Sequence, residues 1–573
     1  MEKKIANWWE KLGRPEYGGE LVIRANSDIV NFDPYNAPNG HIYSAWLERL
    51  VSDDWMLDPT VFDFKAHWRP VQYMKGQLAE SWEMPDASTY VAHLRQGIHW
   101  QDIPPANGRE FTADDVVFHF ERMCGLEEFS ELNPRRNSVF QDLVSITLTD
   151  KYTVVFKWKI TNPALIMEAL HMVSPMLCLE NPEAVRQWGN LDDWHHAIGT
   201  GPFILKDFVP GQSATLVKNQ QYWGHDERYP THKLPYLDGL RFVIVPDEAE
   251  AIEMMRRGKI DIIDHISPKE AHALRKTNSE VLMITHPDSN AESIEPRNDV
   301  KPFNDIRVRK ALQLALDLPA ISKTHYDGIV APYPSMLTSR YMTGWGFRWE
   351  EWPQELKEEY TYNPPLAKKL LAEAGYPLGF QTNIVADAHD DIELMRIVKS
   401  YFAEIGVEME IRVMTSSEWQ EFVARGKKHD QLAYHAGGPL GHTSAPYFDL
   451  TAFRKDGRNN WAMVDDPGFD AFMPRTMAAK TVDEMKKVMM EANEYVARQH
   501  FSISLLQPMA YSLCQPWVKG FSGQFGSAWA HGGGPAMLSF YLGRFWIDQK
   551  LKHSNFSPQK TSHLTTMNYS RFG

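Results

Sequence analysis

The chain has 573 residues, 43% of them hydrophobic and 12% aromatic, with a formal net charge of -14. That length exceeds one ordinary domain, and the composition is that of a folded chain with more than one core, which excludes a disordered polymer. The acidic balance excludes a groove that neutralises phosphates and a surface held on anionic lipid by charge alone, and no run of about 18 apolar residues offers a membrane span.

The opening MEKKIANWWEKLG carries charge but no apolar run of signal-peptide type. β-Branched and aromatic runs ending in turn residues predict strands over 20–25, 90–94, 153–158, 214–218 and 240–246. Between the second and third of these, Thr112 and Asp115 form a capping-box pair ahead of Val116, Val117 and Phe120 at helical spacing. Asp247 caps a helix that buries Ala251, Ile252 and Met255 and stops at Gly258, and a strand over 259–263 follows. The pattern lapses into turn-rich sequence over 284–296, a crossover. Helices resume at Asp305, with Ala311, Leu312, Ala315 and Leu316 on one face. Asn363, Pro364 and Gly375 are cap, first turn and stop of the next helix. A strand over 382–387, a helix over 392–405 and a strand over 408–414 make a second strand–helix–strand unit, and 502–507 reads as a returning strand. Residues 552–573 are polar and unpatterned and are expected to be disordered or loosely draped.

The chain contains no His-Glu-x-x-His, Gly-x-Ser-x-Gly, Walker or Gly-x-Gly-x-x-Gly motif. Gly532-Gly533-Gly534-Pro535 lacks a following phosphate-binding lysine and reads as a loop. The adjacent acids Asp53/Asp54, Asp114/Asp115, Asp192/Asp193, Asp390/Asp391 and Asp465/Asp466 read as caps or solvated faces. His195 and His196 cannot point the same way on a strand, and His435 and His442 would share a helix face but for Gly437, Gly438 and Pro439 between them, so these histidines read as packed or hydrogen-bonding and neither metal nor cofactor is called for. Cys124, Cys178 and Cys514 cannot all pair, which leaves one Cys124–Cys178 bridge or three buried thiols.

Five segments carry a resemblance. They are the LAESW, YVAHLRQGIHW and GREFTADDVVF blocks within 77–122, Ile198-Gly199-Thr200-Gly201-Pro202-Phe203, Asn219 to Gly224 with Tyr222-Trp223, Lys301 to Leu312, and Asn363 to Tyr376. In this order, and spanning 19–551, they resemble the family 5 extracellular solute-binding proteins, receptors of the peptide/nickel/opine type. The resemblance implies an α/β, bilobal periplasmic-binding-protein-like fold (type II, cluster C) with an inserted extra subdomain in lobe one. Lobe one would comprise 19–56, 192–288 and 508–551, the inserted subdomain 57–191, and lobe two 289–507.

The resemblance also implies a monomeric substrate-binding component of an ABC importer. It would capture a small ligand between the lobes and hand it to permease subunits, without catalysis. Its place would be periplasmic or extracellular, with a lipid anchor in the full-length form; the sequence as it stands is then processed, truncated or misassigned at its start. An oligopeptide is the first ligand class expected, an oligosaccharide or opine/sugar conjugate the second, and an extracellular hydrolase the alternative of another class. Ligand contacts are expected from Asn31 and Phe32 in the loop after the first strand, and from Tyr43, Tyr434, His435, Gly438, Tyr447, Trp461 and Trp529. His435 and Gly438 fall where peptide receptors of the family carry an aromatic residue and the Asp that pairs with the α-ammonium. Asp449 is the nearest acid downstream.

Overall fold

The computed structural model describes residues 7–36, 42–65, 68–132, 140–171, 177–287, 291–334, 337–338, 342, 344–435, 446–524 and 537–555. Gly438, Trp529, His442 and the 552–573 tail beyond residue 555 lie outside them.

Two sheets define the two lobes. The first has seven strands in the order Leu282–Pro287, Met509–Cys514, Ile262–Ile266, Glu20–Ala25, Gly239–Ile244, Ser213–Lys218 and Phe203–Val209. The second has five, in the order Val407–Met414, Phe380–Asp387, Leu432–Tyr434, Ser293–Pro296 and Ile503–Ser504. The chain leaves the first sheet after Pro287 and returns to it at Met509. The two crossings are paired to each other, Glu292 N–H donating to Leu506 O (3.0 Å) and Leu505 N–H to Glu292 O (3.1 Å). A separate antiparallel sheet, Ala79–Asp86, Thr89–Leu94, Thr153–Trp158 and Leu143–Asp150, forms a four-stranded unit with the helix Ala113–Cys124 packed on it.

Most expected elements form, displaced by a residue or two at their ends. The helix Glu248–Arg256 begins where Asp247 Oδ1 accepts from Glu250 N (2.7 Å), and Asn363 Oδ1 accepts from Leu366 N (3.1 Å) to open Pro364–Glu373. Asp115 accepts from the Thr112 amide (2.8 Å) and is gripped from the side by Arg109. The strand expected over 259–263 lies at Ile262–Ile266 because Lys259 N–H turns back to Met254 O. The returning strand is only Ile503–Ser504. All three cysteines are free and buried, so the Cys124–Cys178 bridge does not form.

The motifs that carry the resemblance turn out to be packing devices. Gly201 N–H donates to Trp46 O (2.9 Å), and a Cβ at Gly199 would fall inside the van der Waals shell of that same oxygen. Tyr222 and Trp223 both donate to the buried Glu48 carboxylate (2.8 and 2.9 Å), which also takes Gln77 Nε2 (3.0 Å). Arg309 caps the end of the helix Val482–Gln499, donating to Gln499 O (2.9 Å) and His500 O (2.7 Å).

Candidate ligand-binding cleft

In both lobes the strands that run parallel end at the same side, and the chain leaves them there in loops, which is where open α/β sheets bind ligands. In lobe one, Glu20–Ala25 runs parallel to Gly239–Ile244 in the register Glu20↔Gly239. Arg24 pins the two strand ends together through Val245 O and Pro246 O (both 2.8 Å). In lobe two, Phe380–Asp387 is parallel to Val407–Met414 and to Leu432–Tyr434, so Asp387, Met414 and His435 stand at one end.

The loop after Glu20–Ala25 is held from behind. Asn31 Oδ1 accepts from Asp33 N (2.7 Å) and its amide donates to Asp192 (2.7 Å). Asp33 is fully buried and takes two bonds from Arg122 (2.9 and 2.6 Å), with further donors at Tyr35 N (2.9 Å) and Leu191 N (3.0 Å). Arg122 also reaches Glu180 (3.3 Å), whose other oxygen meets His119. Burial raises the Glu180 carboxyl, but His119 and Arg122 outweigh it and hold the group below the usual carboxylate range. Phe32 turns away from this polar face into the lobe-one core, 5.0 Å centroid to centroid from Phe208 and 6.3 Å from Trp46. Tyr43 is fully buried in the same core. Both rings are buried in that core, where their apolar area is removed from water by packing within the lobe.

On the lobe-two side the geometry centres on His435. Its Nδ1 is 2.8 Å from Asp390 Oδ1, and its ring lies 4.6 Å from Trp419 and 6.2 Å from Trp461. Asp390 is itself held by the Asp387 amide (2.8 Å). Trp461 stands edge-on to Trp419 at 4.9 Å and is 6% exposed, a wall of the site rather than an open stacking surface. Tyr434 is buried beside Glu292, the carboxylate at the crossing that accepts from Tyr326 OH (2.8 Å). Tyr447 is buried further along, next to Glu168 of the four-stranded unit. Thus Tyr434, His435 and Trp461 gather in lobe two, Asn31, Phe32 and Tyr43 in lobe one, and Tyr447 at the junction with the four-stranded unit.

Sequence reading missed Asp390, Trp419, Glu292 and Glu168. The Asp390/Asp391 pair reads as a cap, and half of it is one: Asp391 accepts from Leu394 N (2.8 Å) to start Ile392–Glu404. Its neighbour instead orients a histidine 45 positions away, a relation that no local pattern encodes.

Asp449 is fully buried, and burial lifts its carboxyl well above the ordinary aspartate range, the neighbouring Thr338 hydroxyl opposing. Among the described residues no group of three or more His, Cys, Asp or Glu is placed to hold a metal ion, and no helix is long and apolar enough to cross a membrane.

Two sheets joined by paired crossings define a bilobal fold. The sequence profile of the bacterial extracellular solute-binding proteins, family 5, matches residues 74–460, and the chain belongs to that family. Heme-binding protein A of Haemophilus influenzae is 28% identical over 489 residues, covering 79% of this chain and 83% of that protein. Di/tripeptide-binding protein 1 of Pseudomonas aeruginosa is 26% identical over 88% of this chain and 91% of its own. The periplasmic binding protein DppA of Helicobacter pylori, solved in complex with peptide STSA, shares the fold at a TM-score of 0.70. It is 21% identical and covers 93% of this chain and 99% of its own.

Proposed function

We propose that the protein is the monomeric substrate-binding component of an ABC importer, closing its lobes on a short peptide and presenting it to the permease subunits in the membrane. Its place is the periplasm or the cell exterior, with a lipid anchor in the full-length form. Lobe one comprises 19–56, 192–288 and 508–551, lobe two 289–507, and 57–191 is an inserted subdomain; the strand membership of the two sheets supports this division.

Asp449 carries the peptide reading. A buried carboxyl with no cation beside it among the described residues is costly to ionise, and an α-ammonium would supply the missing charge. A second reading, a neutral saccharide or opine conjugate, is favoured by the acids at the end of the lobe-two strands. Asp387, Asp390 and Asp391 are already engaged by Ser416, His435 and His325. A hydrolytic role is not supported by the Ser416, His389 and Asp387 neighbourhood of that rim, where Asp387 is buried and His389 exposed. Ser416 Oγ and Asp387 both meet His389 at the same Nδ1 (2.9 and 3.2 Å), so the imidazole cannot relay a proton between them.

Native mass spectrometry of protein purified from its host, followed by identification of what denaturation releases, tests the reading. Short peptides at one per chain support it; one saccharide or conjugate mass refutes it in favour of the second. With a released peptide as probe, Asp449→Asn weakens binding by about 2–5 kcal/mol. Unchanged affinity removes Asp449 from the site.

A further inference from the structure

The four-stranded unit does not stand clear of lobe two. Trp68 meets Trp345 edge to face at 5.5 Å, and Lys486 Nζ lies 5.9 Å from each of the two rings. Beside this contact, Asn162 Nδ2 donates to Met477 O (2.9 Å) and Lys480 Nζ to Thr161 O (2.9 Å). Leu165, Ile166 and Ala169 on one side, and Leu337, Met485 and Met489 on the other, belong to one continuous buried apolar cluster. The helix Val482–Gln499 reaches this seam at its first turns and the end of the five-stranded sheet at its last, where Arg309 and Tyr360 take its carbonyls. Relative motion of the lobes therefore acts on the seam through a rigid rod of about 27 Å.

At the centre of the seam is Glu168, on the helix Pro163–His171. It is 4% exposed, its Oε2 accepts from Trp68 Nε1 (2.9 Å), and its Oε1 has no hydrogen-bond partner. Among the described residues, the charged or titratable groups facing it are Lys486 of Val482–Gln499 and Tyr447 of the turn Pro446–Ala452. We propose that this seam is a latch that holds the four-stranded unit and lobe two together in the closed protein, and that Glu168 couples its release to loss of a proton.

The sign follows from the environment. Burial pushes the Glu168 carboxyl up from 4.5 to about 7, although Trp68 and Lys486 pull it down. When the seam opens, water reaches the carboxyl and it ionises at its ordinary value. The closed seam thus holds a proton that the open one releases between pH 4.5 and about 7. Opening becomes up to about tenfold easier per pH unit across that window and levels off above it.

This inference rests on the solute-binding reading, and hydrogen exchange on the full chain without ligand tests it separately from the mass spectrometry above. After correction for intrinsic exchange, segments 161–171 and 477–486 are expected to lose protection together as pH rises from 5 to 7, then to plateau. The strands Phe380–Asp387 and Val407–Met414 serve as an internal reference. Glu168→Gln, which keeps the size and the Trp68 bond, is expected to abolish the pH dependence of both segments. Lys486→Met, at a partly exposed position that tolerates change, is expected to raise opening of both by threefold or more at every pH. Wild-type segments flat in pH, an equal slope in Glu168→Gln, or a Lys486→Met effect confined to one segment each overturns the latch.

Discussion

Replacing Arg122 by methionine removes the cation that joins the cleft loop to the helix Ala113–Cys124. The guanidinium is 3% exposed and bonds Asp33 at 2.9 and 2.6 Å and Glu180 at 3.3 Å, both carboxylates being fully buried. Breaking a buried ion pair by removing one partner costs about 3–5 kcal/mol, because the remaining charge is left in a poor solvent. Here two acids are orphaned, but not completely: Asp33 keeps the amides of Tyr35 and Leu191, and Glu180 keeps His119. The cost therefore falls at the lower end, about 3 kcal/mol. Arg122→Lys supplies the charge without the planar fork and recovers about half of it. Urea denaturation at pH 7 reads the difference, with the exposed Arg396→Met as a control expected to change stability by no more than about 0.5 kcal/mol. In the wild type, the contribution of the depressed Glu180 carboxyl is present above the ordinary glutamate pKa and is lost as pH falls through its lower folded value. A loss under about 1 kcal/mol for Arg122→Met would refute the view that this network holds the loop.

Gly199→Ala forces a methyl group against Trp46 O and is expected to destabilise by about 1–3 kcal/mol or to prevent folding, read as a fall in the urea midpoint. Arg228 lies 3.6 Å from the Trp55 ring and 4.2 Å from Trp8, and donates twice to Trp55 O; Arg228→Ala should release residues 7–12, seen as protease nicking there at about 2 kcal/mol lower local stability. Burial pushes Glu295 up to about 8 against the pull of Ser293 Oγ, which donates to it (2.6 Å), so wild-type stability falls as pH rises from 4.5 toward about 8 and levels off beyond. Glu295→Gln keeps the serine bond and should be the more stable protein at pH 8 by more than about 1 kcal/mol, measured by urea titration at pH 5 and 8.

The helix starts at Asp247 and Asn363 were legible because a cap and its amide lie three residues apart, and the strand 20–25 because its turn follows directly. The site was legible only in part. His435 and Trp461 lie 6.2 Å apart, whereas Phe32 and Tyr43 are buried in the core, since a sequence shows that an aromatic follows a loop and not which way its ring turns.

The sequence alone determined the family, the local elements and the absence of a recognised catalytic motif, all of which depend on residue type and short spacing. Tertiary structure decided which acids have partners. Asp390 serves His435, Asp33 serves Arg122 across 89 positions, and Glu168 is left half-satisfied between two units of the fold. Those outcomes depend on burial and on side chains brought together from distant segments, and a carboxylate's charge, cost and chemistry are set by that surrounding rather than by its neighbours in the chain.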